Sequence, residues 1–270
     1  MRMQGVGAVA GQHTEMDEII AFIHQHLYDP LSLSRLAAYA GYSPYHFTRM
    51  FKDRTGLPPL YFVSALRLQK AKDLLLRTDM SVREIGLEIG QQSLGTFTTR
   101  FTERVGMTPS DFRHSTPQAN YSLRSLQGLS DWQVRRPDNG AVIEGTVQAP
   151  LRFAGATLIG LFPKPVPEGL PQHGTLIPGV GDFRITGVKP GIYYLMATAV
   201  AWEMNAMDFL LPQTTLRARA KEPIIVGPYA SVPHQQIMLH LPRQDDPPIL
   251  ISLPVLMNQF LTRVGENSNR

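Results

Sequence analysis

Tyr45, His46, Thr48, Arg49 and Lys52 bring a phenol, an imidazole, a hydroxyl, a guanidinium and an ammonium together in one short stretch. They follow Ser43-Pro44, a capping residue and then a proline in the first helical position, so the segment is expected to start a helix. On that helix Phe47, Met50 and Phe51 share one face, and the polar set points elsewhere. Such an exposed face suits hydrogen bonding to base edges and phosphates along a major groove. A second segment opening near Ser93 has the same layout with softer chemistry. There Phe97, Phe101 and Val105 turn inward, while Leu94, Gly95, Thr98 and Thr99 turn outward beside Arg100.

The elements that must position these faces are themselves a repeat. Leu36, Ala40 and Gly41 return as Ile85, Ile89 and Gly90 at an offset of 49. Past the turn Phe47, Phe51, Gly56, Pro59 and Phe62 match Phe97, Phe101, Gly106, Pro109 and Phe112 at an offset of 50, so the second turn has one more residue. Each copy reads helix, glycine turn, helix, then a glycine and proline stop. A tandem helix-turn-helix arrangement holds two recognition helices at a fixed separation over duplex DNA. A leading helix is predicted over Thr14 to Tyr28, and Ser32 caps the helix that carries Leu33, Leu36, Ala37 and Ala40. A long connecting helix runs from Pro58 to Arg77, and Ser81 with Glu84 forms a capping box for the next.

These residues resemble the DNA-binding domain of the AraC/XylS family of bacterial transcription regulators. The resemblance rests on LSRLAAYAGYSPYHFTRMFKDRTGLPP, RLQKAKDLLL and FTTRFTERVGMTPSDFR, and covers roughly Met16 to His114. It implies that Tyr45, Thr48 and Arg49 in the first unit, and Leu94, Gly95, Thr98 and Thr99 in the second, face bases in adjacent major-groove segments about one turn apart. The resemblance also suggests an activator that acts near RNA polymerase. The second unit departs from the family pattern: Gly90-Gln91-Gln92 replaces the usual glycine, phenylalanine and serine, and Thr99 stands where a basic residue is commonest. Threonine cannot make arginine's bidentate guanine contact, so most base discrimination is expected from the first unit.

Composition agrees with two dissimilar halves in a chain of 270 residues. Met1 to Pro137 carries 16 Lys and Arg against 12 Asp and Glu, whereas the remainder carries 10 of each, so the whole excess of +4 lies with the repeat. Arg54, Lys70, Lys72 and Arg77 read as ordinary solvated helix charges. There is no cysteine, which removes disulfides, thiolate catalysis and thiolate metal sites. His24 and His26 cannot share a helical face, and His173, His234 and His240 have no acidic cluster beside them, so no metal and no cofactor is expected. Neither a G-x-S-x-G elbow nor a glycine-rich phosphate loop is present, and no enzymatic activity is expected. The N-terminal apolar run is too short for a signal peptide, and no stretch approaches a membrane span, so a cytoplasmic location is expected.

After Pro137-Asp138-Asn139-Gly140 the pattern becomes alternating. Ile143, Gly145 and Val147 alternate with polar residues, as do Phe183 and Ile185, while Gly155 to Phe162 and Gly191 to Trp202 are apolar on both faces. The stretch from Val142 to about Pro242 resembles the transthyretin-like sandwich of carboxypeptidase regulatory domains, which implies a binding or structural module. Leu253, Leu256, Met257, Phe260 and Val264 make one stripe of a C-terminal helix that could cover Tyr194, Met196 and Trp202, or leave a ligand pocket there. The expected architecture is multi-domain: an all-α tandem helix-turn-helix domain over 12–116, a linker over 117–140, and a mostly antiparallel β-sandwich with a C-terminal helix over 141–270. Expected partners are double-stranded DNA and RNA polymerase, with a small-molecule effector and a homodimer left open and no membrane. The alternative makes the second half a carbohydrate- or peptide-processing accessory domain.

Overall fold

The structure, a computed structural model, describes residues 6–91, 93–132, 140–220, 222–228 and 231–268. Eight helices come first among the described residues: α1 (Val6–Gln25), α2 (Leu33–Tyr39), α3 (Pro44–Thr55), α4 (Pro59–Arg77), α5 (Val82–Glu88), α6 (Leu94–Val105), α7 (Pro109–Arg113) and α8 (Thr116–Gln127). Strands β1 (Ala141–Gln148), β2 (Gly155–Phe162), β3 (His173–Pro178), β4 (Gly181–Val188) and β5 (Gly191–Ala201) follow, then α9 (Ala206–Leu210). The chain ends through β6 (Arg217–Arg219), β7 (Ile224–Val226), β8 (Gln235–Met238) and α10 (Leu253–Ser268). Two compact units result: one holds Met1–Phe97 together with Arg243–Pro248, the other Thr98–Pro242 together with Ile249–Arg270. The division falls inside α6, not in the stretch expected as a linker.

In the first unit the caps act where the sequence places them. Ser32 accepts from the Arg35 amide at 3.1 Å, Ser43 caps α3, and Ser81 and Glu84 complete a reciprocal capping box at α5. Gly41 and Gly90 turn the chain at φ 70° and 79°, a region where a side chain would be strained. Phe47 and Phe51 are fully buried, and Phe51 meets Phe62 of α4 edge to face at 5.5 Å. Each such burial contributes about 1.5–3 kcal/mol, so these rings fix how α3 lies on the long helix. Arg67 of α4 donates to the carbonyls of Leu27 and Asp29, which closes the exit of α1. The leading helix starts at Val6, earlier than the expected Thr14, because the preceding Ala-containing, proline-free stretch continues the turn. Lys72 also departs from expectation. It is fully buried in α4, and burial pushes its ammonium down to about 7.

In the second unit Thr108 caps α7, and Phe101 meets Phe112 at 5.7 Å. The first part of the expected linker is a helix: α8 has proline in its first turn and buries Ala119, Leu123 and Leu126. Residues 133–139, including Pro137, Asp138 and Asn139 of the expected turn, lie outside the described residues. The strands form two open sheets, one ordered β4-β1-β8 and the other β3-β2-β5-β6, with β7 also pairing with β5. The pairings are antiparallel except β1 with β8, which run parallel. One buried cluster draws on both sheets, with Ile143, Val147, Phe183 and Ile185 from one and Ile159, Leu161, Tyr193 and Leu195 from the other. β2 is buried on both faces, as its apolar run requires, and its one polar side chain, Thr157, donates to the Gly179 carbonyl. Leu253, Met257, Phe260 and Val264 bury the stripe of α10, and Ser122 of α8 donates to Asn258 of α10 at 2.6 Å.

Candidate nucleic-acid interface

On α3, Tyr45 is 82% exposed, and His46, Arg49 and Lys52 are exposed with it. Tyr45, Arg49 and Lys52 are spaced four and three residues apart, so they form one ridge along the helix. His46 is steadied by an edge contact to Tyr42 at 5.0 Å, and the Tyr42 hydroxyl donates to Glu15 at 2.8 Å. That bond to a carboxylate raises the Tyr42 phenol above its usual range. Thr48 is half-buried, and its hydroxyl already donates to the Pro44 carbonyl at 2.7 Å. Its lone pairs and methyl group remain for a ligand, which makes Thr48 a weaker reader than its position suggests.

On α6 the expected outward residues are outward, with different chemistry. Leu94 is 46% exposed, Gly95 has open space where a side chain would stand, and Thr99 and Arg100 are exposed. Thr98 is half-buried, and its carbonyl accepts the Thr102 hydroxyl. Gln92 of the Gly90-Gln91-Gln92 turn lies outside the described residues. Gly86 packs α5 against the start of α6, where an added Cβ would stand 3.3 Å from the Phe97 ring.

Two arginines occupy equivalent places in the repeat: Arg54 near the end of α3, which the sequence reads as a solvated charge, and Arg104 near the end of α6, which it does not single out. Each is gripped by carboxylate. Arg54, 28% exposed, pairs with Asp17 at 2.8 Å and with Asp245 at 3.1 Å. Arg104, 12% exposed, pairs with Glu168, which is 5% exposed and also holds Lys164 at 3.1 Å. The helix ends are closed too: the Gly56 amide donates to Lys52, and the Gly106 amide to Thr102. The signal for these residues was their matched position in the two copies, but their acids lie far away in sequence.

The strand-rich unit holds a separate groove of about 670 Å³. Its lining includes Glu144, Asp182, Arg184 and His234, the β3 residues Gly174 to Ile177, and Trp132 and Arg263. The Thr146 hydroxyl joins Asp182 at 2.7 Å to His234 at 2.9 Å, and Arg184 lies 3.6 Å from Glu144. Tyr194, Met196 and Trp202, the residues expected at a ligand pocket, do not line it. Met196 is buried, and the Trp202 ring lies 6.3 Å from that of Trp132. Among the described residues there is no cluster of histidine and acidic side chains able to hold a metal ion, and no helix is long and apolar enough to cross a membrane.

A helix-turn-helix domain family matches residues 36–115, the segment that carries both exposed faces. This segment therefore carries a helix-turn-helix domain. The chain is 34% identical over 96 residues to an uncharacterized HTH-type transcriptional regulator, YobQ, of Bacillus subtilis, a match covering 36% of this chain and 40% of that protein. It is 36% identical over 115 residues to the right origin-binding protein of Escherichia coli, covering 43% of this chain and 40% of the relative. The matches thus span about two fifths of the length of these curated relatives. Among solved structures, an AraC-type transcriptional regulator from Chromobacterium violaceum shares 30% identity over 39% of this chain and 95% of its own, with a TM-score of 0.37.

Proposed function

We propose that this protein is a sequence-specific transcription regulator that lays α3 and α6 in adjacent major-groove segments, with α3 as the principal base reader. The observation that carries this is the α3 ridge: a phenol and two cations, exposed and consecutive, on a helix whose opposite face is locked by buried phenylalanines. Arg49 is the residue suited to a bidentate guanine contact, and Tyr45 and Lys52 flank it for base and phosphate contacts. Leu94 and Thr99 on α6 suit thymine methyl packing, and Arg100 a phosphate. The strand-rich half acts as the sensing or assembly module, a transthyretin-like sandwich in which the groove behind Trp132 offers room for a small molecule.

The test is selection of bound duplexes from a random pool by the full chain, followed by affinity measurements at fixed salt. A shared sequence is expected, and Arg49→Ala is expected to cost about 1–3 kcal/mol on it and to relax preference at one base pair. Enrichment of no sequence, or an Arg49→Ala variant with unchanged affinity and preference, contradicts the proposal.

A further inference from the structure

Both recognition helices end in an equivalent arginine, and in each case part of the grip comes from the C-terminal half of the sequence. Asp245, in the segment Arg243–Pro248 that belongs to the first unit, holds Arg54. Glu168, between β2 and β3 in the second unit, holds Arg104. At α6 the grip extends to the backbone. The Gly169 amide donates to the Arg104 carbonyl at 2.7 Å, and the Ser252 amide to the Val105 carbonyl at 2.9 Å, so the strand-rich half satisfies carbonyls that a helix end leaves open. These two capping segments are tied to one another, because the amides of Leu250 and Ile251 both donate to the Pro167 carbonyl. Gly106, at φ 85°, lies so close to Ile251 that a Cβ there would stand 2.9 Å from its methyl group.

The same capping segments run directly into the walls of the groove. Past Gly169 the chain enters β3, whose Gly174 to Ile177 line it, and past Ser252 it enters α10, whose Arg263 lines it and donates to the Gly174 carbonyl at 3.2 Å. We propose that Asp245 and Glu168 are positioning residues for DNA recognition, each holding one recognition helix through its terminal arginine, and that the Glu168 clamp links the groove to α6. This rests on the proposed DNA-binding function, and it adds a route by which the C-terminal half governs each helix separately.

The experiment compares full-length wild type, Asp245→Asn and Glu168→Gln by hydrogen exchange and by footprinting on the selected duplex. Loss of a charge-assisted hydrogen bond is expected to speed exchange in the affected helix about tenfold, α3 for Asp245→Asn and α6 for Glu168→Gln, with the other helix unchanged. Protection should weaken in Asp245→Asn over the half-site that contains the base pair at which Arg49→Ala relaxes preference, and in Glu168→Gln over the other half. Arg104→Lys, which keeps the charge and loses the guanidinium fork, should reproduce Glu168→Gln should the latter not fold. Ser122→Ala, which removes a bond between α8 and α10 away from the clamp, should leave α6 exchange unchanged. Variants that fold with both helices exchanging at the wild-type rate, or that weaken both half-sites alike, overturn the inference. If wild type selects no sequence, the functional reading falls, while the exchange experiment still decides on the clamps.

Discussion

Helices α3 and α6 descend from one repeated pattern, and what they keep differs from what they change. Both keep a phenylalanine pair at zero exposure, Phe47 with Phe51 and Phe97 with Phe101, a left-handed glycine stop at Gly56 or Gly106, and a gripped arginine. These are the features that seat a helix. The exposed residues diverge, with Tyr45, Arg49 and Lys52 on one and Leu94, Gly95 and Thr99 on the other. Seating is set by packing that tolerates little change, whereas an exposed face is free to take up a different task. The closing of the two helices diverges as well. The end of α6 receives backbone donors from the strand-rich half, and the end of α3 is closed by its own glycine amide and by the acids around Arg54.

The largest expected effects test the shared part. Phe51→Ala and Phe101→Ala should each destabilise the protein by about 3–5 kcal/mol in denaturant unfolding, and a marked inequality between them would show that the two seats are not equivalent. Lys72 lies on the helix that joins the copies, and because it is fully buried its protonation should make stability depend on pH. The sign with pH follows from its depressed value. With the folded group titrating near 7 and the unfolded one near 10.5, the unfolded chain holds the extra proton between those limits. Stability should therefore be lowest below pH 7 and rise from there toward pH 10.5, and Lys72→Met should abolish that rise in urea midpoints measured across the range.

A smaller effect sharpens the divergent part. Thr99→Arg adds a second exposed cation to α6 beside Arg100 and should steepen the salt dependence of DNA binding by about one unit of log–log slope. The smallest returns to the caps. Ser43→Ala and Ser81→Ala should each cost about 1 kcal/mol in thermal unfolding, with Ser81→Ala the more costly because Glu84 loses its reciprocal partner.

Local chemistry was legible in the sequence, and distant chemistry was not. Ser32, Ser43 and Ser81 announce their helices through bonds that span three residues, and the phenylalanine repeat announces which faces are buried. The outward placement of Tyr45, Arg49, Leu94 and Thr99 followed from those inward residues. Arg104 and Glu168 are 64 positions apart, and nothing in either neighbourhood distinguishes their pairing from a solvated charge. Lys72 looks like Lys70 in sequence, yet one turns into the core and the other pairs with Asp73 at 3.3 Å. Helix α8 was missed for another reason. Its apolar positions Ala119, Leu123 and Leu126 carry the right spacing, but a polar stretch beginning at a Thr-Pro step also reads as a linker.

The division of labour between the two helices is tested most directly by the cost of each single base-pair substitution across the selected duplex, measured for wild type and for Arg49→Ala. One segment should show penalties of about 1–3 kcal/mol per mismatch in wild type, with the penalty at one position lost in Arg49→Ala, while the adjacent segment stays shallow in both. Equal penalties across the two segments, or a profile that Arg49→Ala leaves intact, would contradict it.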